Sequence, residues 1–169
     1  MRITDLKDKK CLVTGAASGI GKAVAIAAAR EGAELFLTDI NAAALEAVAA
    51  QIRADGGRVS ACQVMDIAEL AAVKKVADEI HAQSGSLDIL RNSAGIAVWG
   101  EVDKLEHRQW KKTIDVNLMG PVHVMEAFLP AMIAAGKGGH LVNVSSAAGL
   151  FGLPWHAAYS ASKYGLRGL

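Results

Sequence analysis

Short apolar runs that are typical of β-strands alternate with helix-like runs along the whole chain. The helix-like runs carry apolar side chains at a 3.6-residue period, as at Leu70, Val73, Ala77 and Ile80. Repeated strand–helix–strand order requires parallel strands, because each helix returns the chain to the same end of the sheet. The pattern predicts a single α/β domain over residues 1–169, with a doubly wound parallel sheet in a three-layer αβα arrangement. The expected strands are 10–14, 34–39, 58–64, 87–90 and 141–144; the expected helices are 20–31, 41–54, 69–84, 107–135 and one from about 157.

Charge and cysteine content argue against several classes of protein. The 169 residues carry a formal net charge of +1, so we expect no binding to nucleic acid or to an anionic membrane. Cys11 and Cys62 stand apart in apolar runs, which favours reduced thiols, and no spacing of His, Cys and carboxylate residues is typical of a metal site. The charged N-terminus does not resemble a signal peptide, and no apolar run approaches the ~20 residues of a membrane span. We therefore expect a cytoplasmic protein that binds no metal.

A glycine-rich turn follows the first predicted strand, where the chain enters a helix. Its three glycines stand at the spacing GxxxGxG. They suit three tasks in turn: a sharp bend, close approach of a pyrophosphate, and tight packing of the helix. Free N–H groups at the start of the helix can bind phosphate. The sequence therefore predicts a dinucleotide site at Gly15, Ser18, Gly19, Ile20 and Gly21.

Asp39 ends the second predicted strand, where a carboxylate can accept hydrogen bonds from the adenosine ribose hydroxyls. The same carboxylate would repel a 2′-phosphate. No basic residue stands beside it, and residue 18 is serine. The position predicts NAD rather than NADP. The alternative is that Asp39 only helps to cap the helix that begins after Asn41.

Further motifs follow the glycine turn along the chain: Asp66, Asn92-Ser93-Ala94-Gly95, Asn117, Asn143-Val144-Ser145-Ser146 and Tyr159-Ser160-Ala161-Ser162-Lys163. With GxxxGxG, their order resembles the short-chain dehydrogenase/reductase family over essentially the whole chain. The resemblance implies a Rossmann-like fold and hydride transfer between NAD and a secondary alcohol or ketone. It also implies cofactor contacts from Asp66, Asn92, Ala94 and Gly95. Ser93 and Arg91 depart from the family pattern, and we expect Ser93 to weaken hydrogen bonds between strands.

Tyr159 and Lys163 lie four residues apart in the last predicted helix, which puts them on one face. A free tyrosine has a pKa near ~10, and a neighbouring ammonium favours the phenolate. Tyr159 can then exchange a proton with an alcohol or carbonyl oxygen as general acid/base. The resemblance identifies Ser146 as the catalytic serine, and its hydroxyl can donate to the substrate oxygen. Lys163 can also hold the nicotinamide ribose.

Asn117 precedes Pro121 by four residues in the long predicted helix. Because proline has no N–H, the Asn117 carbonyl loses its usual partner within the helix. We expect that carbonyl to hold a water that links Lys163 to bulk solvent, a role that the family assigns to this asparagine. The alternative is a simple proline kink with the carbonyl facing solvent.

The helix expected over 107–135 is apolar on more than one face. One face can pack on the sheet, and the resemblance implies that another pairs with its copy in a homodimer or homotetramer. Small-molecule alcohols or carbonyl compounds are the other expected partners. His156, three residues before Tyr159, either lines the substrate entrance or is a surface histidine. Trp99 follows the fourth strand and is open to the same two interpretations.

The resemblance also implies that family members continue beyond Leu169 with further strands and a substrate-binding loop. The sequence is therefore interpreted either as an active NAD-dependent oxidoreductase or as a non-catalytic nucleotide-binding fragment or interaction module. An epimerase or dehydratase of an extended branch is a third hypothesis. Its glycine motif usually runs GxxGxxG, so the spacing of Gly15, Gly19 and Gly21 argues against it.

Overall fold

The computed structural model describes residues 5–169, and five parallel strands form its central sheet. The strands are β1 (Lys10–Thr14), β2 (Glu34–Asp39), β3 (Arg58–Val64), β4 (Ile89–Asn92) and β5 (His140–Asn143). Their order in the sheet is β3-β2-β1-β4-β5, so the chain runs outward from the middle strand in both directions. The prediction of a doubly wound parallel sheet is confirmed.

Helices cover both faces of the sheet, which explains why its central strands are apolar without alternation. The helices are α1 (Gly19–Arg30), α2 (Ala42–Ala54), α3 (Leu70–Ser84), α4 (His107–Ile114), α5 (Gly120–Ala135) and α6 (Ala157–Arg167). One core cluster lies between the sheet and α1 and α2, and the second lies between the sheet and α3 and α5. Neighbouring residues of β2, such as Leu35 and Phe36, therefore point into opposite clusters and are both fully buried.

The long helix expected over 107–135 contains an unexpected π-helical turn at Asp115–Met119, between α4 and α5. There the Gly120 N–H bonds the Asp115 carbonyl five residues back. Pro121 cannot continue the regular ladder because it lacks an N–H, which agrees with a local change of pitch at this point. The turn contains Asn117, so it bears directly on the site.

By length and composition alone, the helix over His107–Ala135 could cross a membrane, contrary to the expectation of no such segment. The expectation rested on continuous apolar stretches, whereas this helix mixes charged residues with apolar ones. In the fold, Val124 and Phe128 of this helix are fully buried in the second core cluster. Helices that pack in a protein core can have the same length and apolar composition as a membrane span.

The limits of β4 differ from the prediction by two residues, since the structure has Ile89–Asn92 in place of 87–90. Pairing with β1 explains the shift, because Cys11 pairs with Ile89 and Thr14 with Asn92. The strand ends are thus set by the partner strand and not by the apolar run. The carboxyl ends of β1 and β4 meet at the point where successive helices change face, which is where ligands bind in such sheets.

Candidate active site

The glycine turn between β1 and α1 is built as the spacing predicts. Gly15 has a φ of +68°, and a Cβ there would lie 2.7 Å from the Ala94 Cα, so β4's loop approaches too closely for a side chain. A Cβ on Gly21 would overlap the Gly15 carbonyl, which lets α1 pack tightly on the turn. Gly19 has a φ of +50° and open space above it, as a bound phosphate requires.

Thr14 holds the two loops of the switch point together, a role that the sequence did not indicate. Its Oγ1 accepts hydrogen bonds from the N–H groups of Ser93 (3.1 Å) and Ala94 (3.2 Å). The side chain is fully buried at the end of β1. A threonine just before a glycine turn was the only available signal, and its partners lie far away in sequence.

Asp39 contacts the glycine turn as well as the start of α2. Its Oδ2 accepts from the Ala17 N–H (3.0 Å), and its Oδ1 accepts from the Asn41 N–H (2.9 Å). The cap of α2 is Asn41, whose side chain accepts from Ala44 N–H. Asp39 therefore orders the rim of the cleft and does not itself cap the helix.

A cleft of about 480 Å³ opens at the carboxyl ends of β1, β2 and β4. Thr38 also lines it, and the buried Thr38 Oγ1 lacks a hydrogen-bond partner among residues 5–169. An unpartnered polar atom beside Asp39 and the open space above Gly19 fit a dinucleotide. Eleven predicted cofactor residues line the cleft: Gly15, Ser18, Gly19, Ile20, Gly21, Asp39, Asp66, Ala94, Gly95, Tyr159 and Lys163.

Asn92 is not among the residues that line the cleft, and its predicted contact with the cofactor stays a prediction. It is the last residue of β4, and its Nδ2 donates to Asn143 Oδ1 on β5 (2.9 Å). The link between these strands therefore comes from Asn92, while Ser93 Oγ accepts from Arg91 Nε (3.1 Å). Ser93, which departs from the family pattern, therefore bonds to its neighbour Arg91 and takes no part in the link between the two strands.

Tyr159 and Lys163 share one face of α6 and reach the cleft together. The Lys163 ammonium lies 5.6 Å from the centroid of the Tyr159 ring and donates to the Val144 carbonyl (2.8 Å). Lys163 is 5% exposed, and burial lowers the pKa of its ammonium. The structure therefore places a buried positive charge beside the Tyr159 ring.

Ser146 stands at the end of the loop after β5, where it caps a short 3₁₀ turn. Its Oγ accepts from the Ala148 N–H (3.2 Å), which leaves the hydroxyl proton free to be donated. Ser145 lines the cleft, and its Oγ donates to the Lys163 carbonyl (3.1 Å). Ser145 therefore joins the β5 loop to α6.

The Asn117 side chain, fully buried, connects the π turn to the cleft and to α6. Its Oδ1 accepts from the Ile96 N–H (2.8 Å), and its Nδ2 donates to the Ile96 carbonyl (2.8 Å) and to Ser162 Oγ (3.0 Å). Ser162 in turn donates to the Tyr159 carbonyl (2.7 Å). The sequence drew attention to the Asn117 carbonyl, whereas these contacts belong to its side chain. The expected water at that carbonyl stays a prediction.

A family model for short chain dehydrogenase matches residues 9–169. Among curated relatives, a D-threitol dehydrogenase of Mycolicibacterium smegmatis is 43% identical over 166 residues, which are 97% of this chain and 62% of that protein. The chain spans about three-fifths of the length of the curated relatives it matches first.

Two solved structures share the fold. A short-chain dehydrogenase/reductase from Burkholderia phymatum in complex with NAD has a TM-score of 0.94 and 31% identity, covering 98% of this chain and 59% of that one. A metagenomic short-chain oxidoreductase in complex with NADP has a TM-score of 0.90 and 39% identity, covering 96% of this chain and 73% of that one. These neighbours support a nicotinamide dinucleotide site without choosing between the two cofactors.

Proposed function

This chain belongs to the short-chain dehydrogenase family, and from that premise we propose that it is an NAD-dependent oxidoreductase acting on a secondary alcohol or ketone. The observation that carries the proposal is the shared cleft: Tyr159 and Lys163 line the same space as Gly19 and Asp39. A proton-transfer pair and a dinucleotide cradle in one cleft are what hydride transfer to a carbonyl requires.

NAD is the cofactor that the proposal names, because Asp39 borders the cleft with a carboxylate. A carboxylate can bind the ribose hydroxyls and repels a 2′-phosphate. Its two backbone hydrogen bonds hold it in place, so the repulsion acts at a defined position. NAD, when bound, supplies the hydride acceptor; the remaining chemistry falls to the protein.

In this proposal Tyr159 moves the proton to or from the substrate oxygen, and Ser146 donates a hydrogen bond to that oxygen. Lys163 places its ammonium beside the Tyr159 ring and binds the nicotinamide ribose. The proposal includes a relay in which a water, held by the Asn117 carbonyl, passes the proton between Lys163 and bulk solvent. Pro121 leaves that carbonyl available because it has no N–H to offer.

The substrate class is supported by one named relative, the D-threitol dehydrogenase at 43% identity. A small hydroxylated alcohol is therefore the proposed substrate. We also propose a cytoplasmic setting, which the two free cysteines support.

Self-association as a homodimer or homotetramer completes the proposal, with no nucleic acid or membrane as partner. Met119 and Ile133, on the π turn and α5, are large apolar side chains that the single chain leaves exposed. Light scattering at micromolar concentration should give at least twice the mass of one chain, and a monomer would contradict this part.

The main test follows NAD reduction at the nicotinamide absorbance band with a panel of secondary alcohols. Tyr159→Phe should lower kcat by roughly 10²–10⁴-fold, because the general acid/base is removed, while NAD binding is retained. Tyr164→Phe is a matched control, since Tyr164 lies on the same helix and is 45% exposed. Unchanged turnover in Tyr159→Phe would refute the mechanism, and NAD binding without turnover in the unaltered chain would favour the non-catalytic nucleotide-binding alternative.

A further inference from the structure

Two loops that follow β4 and β5 are joined beside Tyr159. The Gly100 N–H donates to the Trp155 carbonyl (3.0 Å), and the rings of Trp99 and His156 have centroids 4.2 Å apart. We call Trp99, Trp155 and His156 the entrance wall. It stands at the carboxyl end of the sheet, the end at which the cleft opens, and the proposed function does not use it.

His156 brings the entrance wall close to Tyr159, the proposed general acid/base. The centroid of its ring lies 6.1 Å from that of Tyr159. Its Nδ1 lies 2.6 Å from the Pro154 carbonyl, which can only accept, so Nδ1 carries the proton. In the neutral ring Nε2 is then a hydrogen-bond acceptor. In this tautomer, His156 Nε2 can accept a hydrogen bond from a hydroxyl of a ligand.

Helix capping does not explain His156. It occupies the N-cap position of α6, yet its side chain makes no capping hydrogen bond. The ring is half-buried against Trp99, whose own side chain is 68% exposed, so the pair does not belong to either core cluster. The position of His156 at the start of α6 therefore does not explain why the residue carries an imidazole.

The backbone just before His156 is strained. Trp155 has a φ of +60°, and in residues 5–169 only Asp8 is another non-glycine residue with positive φ. The Trp155 side chain is 61% exposed, so burial of the indole does not offset the strain. Strain of this kind concentrates at binding sites. Here it accompanies the joining of the two loops that bring His156 beside Trp99.

We propose that His156 Nε2 accepts a hydrogen bond from a second hydroxyl of the substrate, on the carbon next to the reacting one. This rests on the proposed function, and it makes vicinal diols the preferred substrate class over simple secondary alcohols. Tyr159 and Ser146 take the reacting oxygen, and His156 takes the neighbouring one. An alcohol without that hydroxyl leaves Nε2 without a donor, and sites of this kind discriminate against such analogues.

The test compares 2,3-butanediol with 2-butanol, which differ by the second hydroxyl. His156→Phe keeps a ring against Trp99 and removes the acceptor, so kcat/KM for the diol should fall roughly 3- to 10-fold. The value for 2-butanol should stay within about two-fold. His156→Gln offers an amide oxygen and should recover part of the diol preference. His140→Gln, at the opposite end of β5, is the control and should change neither value.

A second readout does not need turnover. In protein with ¹⁵N-labelled histidine, the His156 Nε2 resonance is identified by its absence from His156→Phe. It should shift when 2,3-butanediol is added to the NAD-loaded protein and stay in place with 2-butanol. Equal kcat/KM for the two alcohols, equal losses in His156→Phe, or no selective shift would overturn the inference and leave the oxidoreductase proposal standing. Absence of turnover with every alcohol would refute both.

Discussion

Replacing Asn117 with alanine tests whether its side chain holds the active-site cleft together. Asn117→Ala removes three hydrogen bonds, two to the Ile96 backbone and one to Ser162. At about 1 kcal/mol each, the bonds contribute about 3 kcal/mol. Alanine regains about 0.5 kcal/mol through its higher helix propensity. We therefore expect the free energy of unfolding to fall by about 2–3 kcal/mol, a large part of a typical domain's stability.

Equilibrium unfolding in urea, followed by circular dichroism, measures the change. Asn41→Ala is the matched control, because Asn41 is an exposed N-cap with one side-chain bond, and its loss should cost about 1 kcal/mol. NAD affinity should also weaken in Asn117→Ala, since Ile96 lines the cleft. If Asn117→Ala lowers the free energy of unfolding no more than Asn41→Ala does, the three side-chain bonds of Asn117 do not stabilise the fold by the expected amount.

Three further changes have definite expected outcomes. Gly15→Ala should lower the free energy of unfolding by about 2 kcal/mol or more, because Gly15 has a φ of +68° and the Ala94 backbone lies close to it. Gly56→Ala should lower it by about 1 kcal/mol, because Gly56 has a φ of +83° but open space around it. Cys11 and Cys62 should resist a thiol reagent at mildly alkaline pH until the chain unfolds, because burial raises their pKa values to about 12 and about 11. Lys163→Met should abolish turnover and raise the free energy of unfolding.

These outcomes can each be contradicted by one measurement. Urea unfolding that gives equal losses for Gly15→Ala and Gly56→Ala would remove the argument from the approach of Ala94. Labelling of the folded chain by a chromogenic disulfide, as fast as labelling of the chain in urea, would mean that the thiols are not protected.

The sequence predicted β2 and β3 to the residue, because a glycine ends the preceding helical run one or two residues before each strand. The glycine turn and the Tyr159–Lys163 pair were equally legible, since their geometry depends on spacing within one loop or one helix. The limits of β4 were missed by two residues because register with β1 sets them.

The contacts that assemble the site could not be predicted from the sequence. Thr14 and Ala94 stand 80 residues apart, and Asn117 and Ser162 stand 45 apart. Nothing in a local pattern pairs a particular hydroxyl with a particular distant N–H group. The π turn was missed for a related reason: Pro121 signals an interrupted helix, but whether the chain kinks or widens depends on packing around it.

Lys163 is a buried charge, and we expect it to lower the free energy of unfolding at neutral pH. Burial lowers the pKa of its ammonium, so the folded chain binds that proton less tightly than the unfolded chain does. The penalty is therefore full below the folded pKa and disappears as pH rises from there towards the ordinary value of 10.5. Lys163→Met, of similar length and without charge, should be more stable than the natural chain at neutral pH, with an advantage that shrinks in alkaline solution. Urea unfolding across pH measures this, and a variant that is less stable at neutral pH would mean that the bond to the Val144 carbonyl outweighs the burial of the charge.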